Sequence, residues 1–302
     1  MRILVLGAGG QVGRELVPAL APVGEVVPAT RSGRLADGRP CPACDLAVPG
    51  AAADLVAGQR PAVVVNAAAY TAVDRAESEP DLADRINHLA VAELAVACRE
   101  AGARLVHFST DYVFDGEASR PYREDDAVAP RSAYGRSKLA GEQALAASGA
   151  NHLVLRLAWV YAAHGRNFPL TMLRLARERD RLGVVDDQVG APTPARWIAA
   201  ATALLVHAHR DLSGVHHLAP AGRTSWHGLC RFLFDGARTA GLLEALPGLD
   251  AITTADYPTP ARRPAYSCLD SGRLKTATGL ALPDWRLGVG QLLEELAARP
   301  PQ

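Results

Sequence analysis

Tyr134 and Lys138 have the types and the spacing of a catalytic acid–base pair. They stand four positions apart in the run Tyr-Gly-Arg-Ser-Lys, and positions i and i+4 share one face of a helix. A nearby ammonium group favours the phenolate form of a tyrosine, whose pKa is ordinarily about 10, and so brings the phenol closer to acid–base work at neutral pH. We therefore expect Tyr134 to protonate a substrate carbonyl oxygen as a hydride arrives from a nicotinamide, with Lys138 also holding the nicotinamide ribose.

The lysine of this pair is rare in the chain. Lys275 is the only other lysine, and arginine supplies nearly every other cation. Seven tyrosines and two lysines in 302 residues predict roughly 0.05 accidental pairs of this spacing. A compact ammonium also differs chemically from a planar guanidinium, which favours a catalytic interpretation over coincidence.

A glycine-rich turn near the amino terminus predicts a dinucleotide site. Gly7, Gly10 and Gly13 are spaced as Gly-x-x-Gly-x-x-Gly between an apolar run and a helical pattern. Glycine allows a tight turn and the close approach of backbone to a pyrophosphate, while a helix N-terminus offers free N–H groups. A purely structural turn is the alternative. The predicted cofactor contacts here also include Gln11 and Val12.

The end of the second predicted strand bears on the choice of cofactor. An acidic residue there would accept from the ribose of NADH and repel the 2′-phosphate of NADPH. This chain has Thr30, Arg31 and then Arg34, so we expect NADPH, with NADH as the second possibility and solvated surface arginines as the alternative interpretation. Further predicted cofactor contacts are Asp45, Leu46, Ala67, Ala68, Ala69, Tyr70 and Thr71.

A hydroxyl residue is expected beside the reacting carbonyl. Thr110 lies two residues after the predicted strand Arg104–Phe108, on the sheet edge where ligands bind. A hydroxyl there can hydrogen-bond and polarise a carbonyl. The alternative is a strand-end cap without chemistry.

Alternation of strands and helices predicts an α/β fold with a doubly wound parallel sheet of the Rossmann type. The helical pattern before Gly102 is the clearest example. The β-rich runs are Ile3–Leu6, Glu25–Ala29, Ala62–Val65, Arg104–Phe108 and His152–Leu157.

Beyond about residue 160 the alternation weakens, which predicts a smaller α/β substrate-binding lobe over the carboxyl ends of the strands. Helical patterns persist near 167–180, 195–208, 226–240 and 288–297. The expected partition is a dinucleotide-binding domain of 1–160 plus about 189–213, and a substrate-binding domain of about 161–188 and 214–302.

The composition argues against a nucleic acid polymer or a membrane as a binding partner. The 32 basic residues balance 32 acidic ones, so no overall positive field attracts a nucleic acid polymer or an anionic membrane. The sequence shows no signal peptide and no apolar run of membrane-spanning length, and we expect a cytoplasmic protein. Five cysteines fit a reducing compartment. Cys41 and Cys44 form a Cys-x-x-Cys pair without a second ligand pair, which favours a surface-loop coincidence over a redox or zinc role.

Seven motifs stand along the chain: Gly7–Gly13, Asn66–Thr71, Ser109–Gly116, Tyr134 with Lys138, Trp159–Tyr161, Asp187–Thr193 and Pro258–Pro264. Taken together, they resemble those of the dTDP-4-dehydrorhamnose reductase family, which is of the extended short-chain dehydrogenase type. The likeness runs over nearly the whole chain and implies reduction of the 4-keto group of dTDP-4-dehydro-β-L-rhamnose to dTDP-L-rhamnose, a donor for bacterial cell-envelope polysaccharide.

By position, the resemblance implies that Thr110, Asp111, Trp159, Arg262 and Arg263 contact the dTDP-sugar. The alternatives are core packing for Trp159 and surface exposure for the two arginines.

One departure from the family concerns a metal ion. Some members dimerise around Mg²⁺ held by carboxylates, and Glu15 and Glu295 match two of those positions, but Arg196 matches the third. A guanidinium cannot ligate Mg²⁺, so we expect no metal and instead a salt bridge between Arg196 and those glutamates. A monomer or a homodimer remains open.

Two other functions share these features. One is a related nucleotide-sugar 4-ketoreductase or epimerase of antibiotic-sugar synthesis. The other is a non-catalytic NADP-binding regulatory subunit resembling the beta subunit of methionine adenosyltransferase. Retention of Tyr134, Lys138 and Thr110 argues against a purely binding role.

Overall fold

A computed structural model describes residues 1–299 of the chain. Its centre is a six-stranded parallel sheet in the order β10-β5-β4-β3-β1-β2. The chain moves outward from β1 to one side and then from β3 to the other, so the winding reverses between β1 and β3, where doubly wound sheets bind ligands. The strands are β1 (Arg2–Leu6), β2 (Glu25–Ala29), β3 (Val63–Asn66), β4 (Arg104–Thr110), β5 (His152–Leu157) and β10 (Gly214–His217).

Helices cover both faces of this sheet because successive strand residues point to opposite sides. From β1, Ile3 and Val5 enter one apolar cluster together with Leu16, while Leu4 enters another together with Leu94. The helices are α1 (Gln11–Leu20), α2 (Ala51–Gln59), α3 (Pro80–Asp84), α4 (Ala90–Glu100), α5 (Ala133–Ala147), α6 (Phe168–Glu178), α7 (Ala195–Ala208), α8 (Trp226–Thr239), α9 (Gly272–Thr278) and α10 (Trp285–Ala297). Three 3₁₀ turns (Arg75–Glu77, Asp111–Val113, Thr254–Asp256) and a π turn (Arg85–Leu89) complete the helical structure.

A further apolar cluster lies outside the sheet and is built mainly from α6, α8 and α10. Its buried members include Leu173, Leu233, Phe234, Trp285 and Val289. Short strand pairs frame it, among them β7 with β13, which run parallel. These shorter strands are β6 (Val160–Tyr161), β7 (Arg181–Val185), β8 (Val189–Gly190), β9 (Thr193–Pro194), β11 (Pro220–Ala221), β12 (Thr224–Ser225), β13 (Gly248–Ile252) and β14 (Leu282–Asp284).

The predicted α/β class and the central parallel sheet are confirmed, and each of the five predicted strands overlaps a strand of this sheet. The sixth strand, β10, lies within the stretch that the sequence partition assigned to the second lobe. Its residues include His216 and His217, which are polar but buried, so their pattern does not resemble an apolar strand. The partition itself stays a prediction.

No helix within residues 1–299 has both the length and the apolar character needed to cross a membrane.

Candidate active site

The glycine-rich turn follows β1 and leaves no room for a side chain at Gly7 or Gly13. Gly7 has φ +74°, and a Cβ there would lie 2.6 Å from the amide nitrogen of Ala68. A Cβ on Gly13 would lie 2.1 Å from the carbonyl oxygen of Gly7. Gly10 is the N-cap of α1 and supplies no side-chain cap, so N–H groups of the first turn, which includes Gln11 and Val12, are left for an anion. The turn therefore fits a dinucleotide pyrophosphate.

The loop after β2 is tied down by Thr30. Its buried hydroxyl donates to the carbonyl oxygen of Arg34 at 3.0 Å and accepts from the amide of Arg34 at 3.1 Å. Arg31 is exposed at the same strand end. The guanidinium is thus available to a 2′-phosphate at the position where the sequence predicts one.

The same loop contains the remaining residues predicted there. Asp45 accepts a hydrogen bond from the amide of Ala47 at 3.0 Å, and Leu46 is buried in the core. Cys41 and Cys44 are free thiols. Burial raises the pKa of Cys44 to about 11, which disfavours the reactive thiolate.

The segment from Ala67 to Thr71 follows β3 and approaches the glycine turn closely. The amide of Ala67 donates to the carbonyl of Leu6 at 3.0 Å. Tyr70 is held at both backbone groups by Asn87, which accepts from its amide at 2.9 Å and donates to its carbonyl at 3.0 Å. Its ring packs against the small apolar cluster that Tyr134 also contacts. The predicted cofactor strip and the predicted catalytic tyrosine therefore lie together.

Tyr134 and Lys138 lie in the first turns of α5. Ser132 caps this helix by accepting from the amide of Gly135 at 3.1 Å. A Cβ on Gly135 would lie 2.3 Å from the carbonyl oxygen of Tyr112, so glycine lets α5 approach the turn that follows β4. This approach places Tyr134 and Lys138, the predicted catalytic pair, at the carboxyl edge of the sheet.

Lys138 is 2% exposed and is bound by β4. Its Nζ donates to the carbonyl oxygen of Phe108 at 2.6 Å and lies 3.1 Å from Nε2 of His107. Burial lowers the pKa of Lys138 to about 8, and the charge of Glu142 opposes that shift. A lysine with this pKa can gain or lose a proton near neutral pH.

The pKa of Tyr134 is raised in the structure, whereas the sequence predicted that the neighbouring Lys138 would lower it. Burial raises the pKa of Tyr134 above its ordinary value, and Asp111 and Tyr112 raise it further, while a hydrogen bond with Thr110 lowers it. The expectation that Lys138 lowers the pKa of Tyr134 is therefore wrong, because desolvation of the buried phenol has the larger effect. Tyr134 is accordingly held as a neutral phenol, the form that can give a proton to a substrate.

Thr110 and Asp111 end β4 beside this phenol, and both are buried. The Thr110 hydroxyl accepts from the amide of Tyr112 at 3.2 Å, so it caps the Asp111–Val113 turn. It also contacts Tyr134. Thr110 therefore has the capping role that the sequence analysis gave as the alternative, and it also contacts the predicted catalytic tyrosine.

Comparisons with known proteins identify a family whose matches extend over nearly the whole chain. A family model described as RmlD substrate binding domain matches residues 1–298. The dTDP-4-dehydrorhamnose reductase of Escherichia coli is 46% identical over 303 residues, which cover 98% of each chain. The chain belongs to the dTDP-4-dehydrorhamnose reductase family.

Solved structures of this family have the same fold. The reductase from Bacillus anthracis, solved in complex with NADP, has a TM-score of 0.88 and 32% identity, with 97% of this chain and 99% of that chain covered. The orthologue from Clostridium acetobutylicum has a TM-score of 0.89 and 36% identity, with 98% and 99% covered.

Trp159, matched to this family by its motif, adopts a left-handed backbone with φ +48°. Its indole stacks on Trp226 with ring centroids 3.5 Å apart and an angle of 6° between the planes. A Cβ on Gly190 would lie 2.4 Å from the Trp159 ring. The sequence did not predict Trp226, which lies 67 positions further along the chain and meets Trp159 only through the second lobe.

The two predicted substrate arginines lie in different surroundings. Arg262 is exposed and donates to Glu117 at 3.1 Å. Arg263 is partly buried and donates to Asp74 at 2.6 Å and to the phenol of Tyr112 at 3.0 Å. The Tyr112 ring packs edge-on against Tyr134 at 5.5 Å. Arg263 is therefore linked through Tyr112 to the predicted catalytic tyrosine, whereas Arg262 is not.

The residues matching the family's metal position do not fit Mg²⁺. Glu15 accepts from Nε2 of His164 at 2.8 Å, and Glu295 pairs with Arg196 at 3.0 Å and with Arg299 at 2.7 Å. The carboxylates thus have basic partners already. The predicted salt bridge of Arg196 is confirmed for Glu295 but not for Glu15, whose partner is His164. Within residues 1–299 no group of three or more His, Cys, Asp or Glu side chains is arranged to hold a metal ion.

Proposed function

We propose that this chain reduces the 4-keto group of dTDP-4-dehydro-β-L-rhamnose to dTDP-L-rhamnose with NADPH as the reductant. The observation that carries the proposal is the contact of Tyr134 with Thr110 at the carboxyl end of β4, with buried Lys138 bound to Phe108 of the same strand, in a chain 46% identical to a dTDP-4-dehydrorhamnose reductase. That edge is also where the glycine turn after β1 offers its N–H groups.

The cofactor's contribution is a hydride delivered to the carbonyl carbon. The residues that would hold it are the glycine turn, the strip Ala67–Thr71, and the loop of Thr30 and Arg31. Close backbone approach at Gly7 and Gly13 suits a pyrophosphate, and the exposed Arg31 suits a 2′-phosphate.

Tyr134 supplies the proton. Its phenol is neutral in the resting site because burial raises its pKa, so the O–H can donate to the carbonyl oxygen as negative charge develops there. Thr110 offers a second hydroxyl next to that phenol. Turning its one O–H from Asp111 to the substrate would polarise the same carbonyl. The phenolate that remains lies one helical turn from Lys138.

The substrate's nucleotide and diphosphate have candidate contacts further out. The stacked pair of Trp159 and Trp226 presents an aromatic surface, and Arg263 retains N–H groups beyond the two that bind Asp74 and Tyr112. Guanidinium groups bind phosphate oxygens with charge-assisted hydrogen bonds. Asp111, buried beside Thr110, is proposed to accept from a sugar hydroxyl.

The test is NADPH oxidation with dTDP-4-dehydro-L-rhamnose, measured for the native chain and for Tyr134→Phe. We expect turnover to fall by about 10²-fold or more, the scale of lost acid–base catalysis, with NADPH binding retained. Tyr257→Phe is the matched control, because Tyr257 is 61% exposed. Native-like turnover in Tyr134→Phe would remove the mechanism.

A further inference from the structure

One carboxylate joins the strip that follows β3 to the segment that contains the predicted substrate arginines. Asp74 lies shortly after Thr71, the last residue of the cofactor strip, and its side chain reaches residues 187 and 189 positions further along the chain. Its Oδ1 accepts from the amide of Ala261 at 3.2 Å, and its Oδ2 accepts from Nη2 of Arg263 at 2.6 Å. Asp74 therefore holds both the backbone and the arginine of the same segment.

The guanidinium of Arg263 is held from a second side by Tyr112. Nη1 donates to the phenol oxygen of Tyr112 at 3.0 Å. A guanidinium is planar and has five N–H groups in a fixed fork, so bonds on two different nitrogens fix its plane. The N–H groups that these two bonds leave over can bind phosphate oxygens. We name Asp74, Ala261, Arg263 and Tyr112 the arginine clamp.

The ion pair in the arginine clamp is too exposed to be explained by stability alone. The side chains of Asp74 and Arg263 are 39% and 23% exposed, and ion pairs in contact with water contribute little to folding. The clamp does fix the direction of the guanidinium. Because Tyr112 packs edge-on against Tyr134 at 5.5 Å, that direction is set relative to the predicted catalytic tyrosine.

The charge of Asp74 by itself would disfavour an anionic substrate. A carboxylate beside the arginine repels a diphosphate, so it weakens binding unless it improves the geometry of the arginine. A long side chain that must be ordered on binding costs affinity, and ordering it beforehand reduces that cost. The neighbouring Arg262 has no such clamp, because its partner Glu117 is shared with Arg131.

We propose that Asp74 is a positioning residue that holds Arg263 in the orientation in which it binds the diphosphate of a nucleotide sugar. The substrate class rests on the proposed function. Asp74 itself does not touch the substrate and acts through the guanidinium. The same carboxylate fixes the backbone at Ala261, so the arginine and the segment that contains it keep one position relative to the cofactor strip.

The first experiment measures Kd for dTDP by calorimetry in the native chain and in Asp74→Asn. An asparagine has one acceptor oxygen, so it can serve Ala261 or Arg263 but not both. We expect Kd for dTDP to rise about fivefold, while NADPH affinity stays within about twofold of native because the cofactor contacts are unchanged. Loss of a repulsive charge alone would lower Kd for dTDP, so an unchanged or lower value would overturn the proposal.

The second experiment repeats the substitution in an Arg263→Ala background. Because Asp74 acts through Arg263, Asp74→Asn should no longer raise Kd for dTDP when the guanidinium is absent. An equal rise in both backgrounds would show that Asp74 acts by another route and would contradict the proposal.

The matched control is Asp250→Asn on β13. Its side chain is 42% exposed and accepts from Nη2 of Arg181 at 2.6 Å, so the same substitution breaks an ion pair of similar exposure that does not involve Arg263. Native affinity for dTDP is expected in this variant. A rise equal to that of Asp74→Asn would show that the loss of any exposed ion pair has this effect.

A crystal structure of the native chain with dTDP tests the proposal without any variant. We expect Arg263 to bind Asp74 and a phosphate oxygen at the same time. An Arg263 that leaves Asp74 to reach the diphosphate, or that does not contact it, would overturn the positioning role. Because dTDP binding needs no turnover, a chain inactive on the keto sugar would refute the proposed function and leave the role of Asp74 decided separately.

Discussion

Asp111 accepts a hydrogen bond from the Thr110 hydroxyl at 2.9 Å, and both side chains are buried at the end of β4. The other carboxylate oxygen makes no hydrogen bond of normal geometry within residues 1–299. Burial raises the pKa of Asp111 to about 6, against the lowering effects of the nearby Ser267 hydroxyl and of the hydrogen bond from Thr110. A charged carboxylate is therefore kept in a site that destabilises it, as is common where function requires the group.

Asp111→Asn should stabilise the protein at neutral pH and impair its activity. The folded-state pKa lies above the unfolded value, so the folded state binds the proton more tightly, and stability falls as pH rises from about 4 to 6. The penalty at pH 7 is at most about 3 kcal/mol. Denaturant unfolding between pH 4 and 8 should show this slope in the native protein and a flatter profile in Asp111→Asn.

Asp126→Asn provides a control of opposite sign. Hydrogen bonds from Arg120 lower the pKa of Asp126 to about 2, so its contribution to stability is present above the unfolded pKa and is lost as pH falls toward about 2. This variant should therefore be less stable than native protein at pH 7. Loss of stability in Asp111→Asn at pH 7 would contradict the interpretation of Asp111.

Arg263→Lys should raise KM for the dTDP-sugar by about tenfold, equivalent to about 1.4 kcal/mol. A lysine cannot bind Asp74, Tyr112 and a phosphate together, since it lacks the planar fork of donors. Arg262→Lys is the comparison, because exposed Arg262 contacts only Glu117 among the bonds described above, and we expect its KM to change by less than about threefold. Steady-state kinetics at one salt concentration measures KM for both variants. Equal changes in KM would show that Arg263 contributes no more to substrate binding than Arg262 does.

Motifs contained in one short segment could be predicted from sequence. The glycine turn and the pair Tyr134 and Lys138 depend on local geometry, namely a strand-to-helix turn and the helical repeat. Their fold context and family are confirmed. The cytoplasmic location, the domain partition and the choice between monomer and homodimer stay predictions.

Features that depend on sheet order or burial could not be predicted. His107 and Asn66 are single residues on β4 and β3, and only the pairing of those strands brings them together. Likewise, the direction of the Tyr134 pKa depends on desolvation, whereas the spacing to Lys138 suggests the opposite sign. Predicting these features would have required knowledge of which strands are neighbours in the sheet.

Arg31→Ala should weaken NADPH selectively. The guanidinium is exposed at the end of β2, and loss of a charge-assisted hydrogen bond to a 2′-phosphate is expected to raise Kd for NADPH about tenfold. NADH, which lacks this phosphate, should bind within about twofold of native affinity because no charged partner is removed. Arg210→Ala, also exposed but in the loop before β10 at the opposite edge of the sheet, is the control. Equal losses for NADPH and NADH in Arg31→Ala would contradict the assignment.

Two glycine-to-alanine variants separate close packing at the cofactor turn from ordinary helix propensity. In Gly13→Ala the added Cβ would lie 2.1 Å from the Gly7 carbonyl oxygen, so the turn must shift at a cost of about 1–3 kcal/mol, and NADPH should bind at least about tenfold more weakly. In Gly58→Ala, inside α2, nothing lies within 4 Å of the new atom. That variant should gain about 0.5–1 kcal/mol from helix propensity and keep native cofactor affinity. Thermal unfolding and NADPH titration measure both, and a Gly13→Ala protein as stable as Gly58→Ala with native affinity would show that the backbone turn does not bind the pyrophosphate.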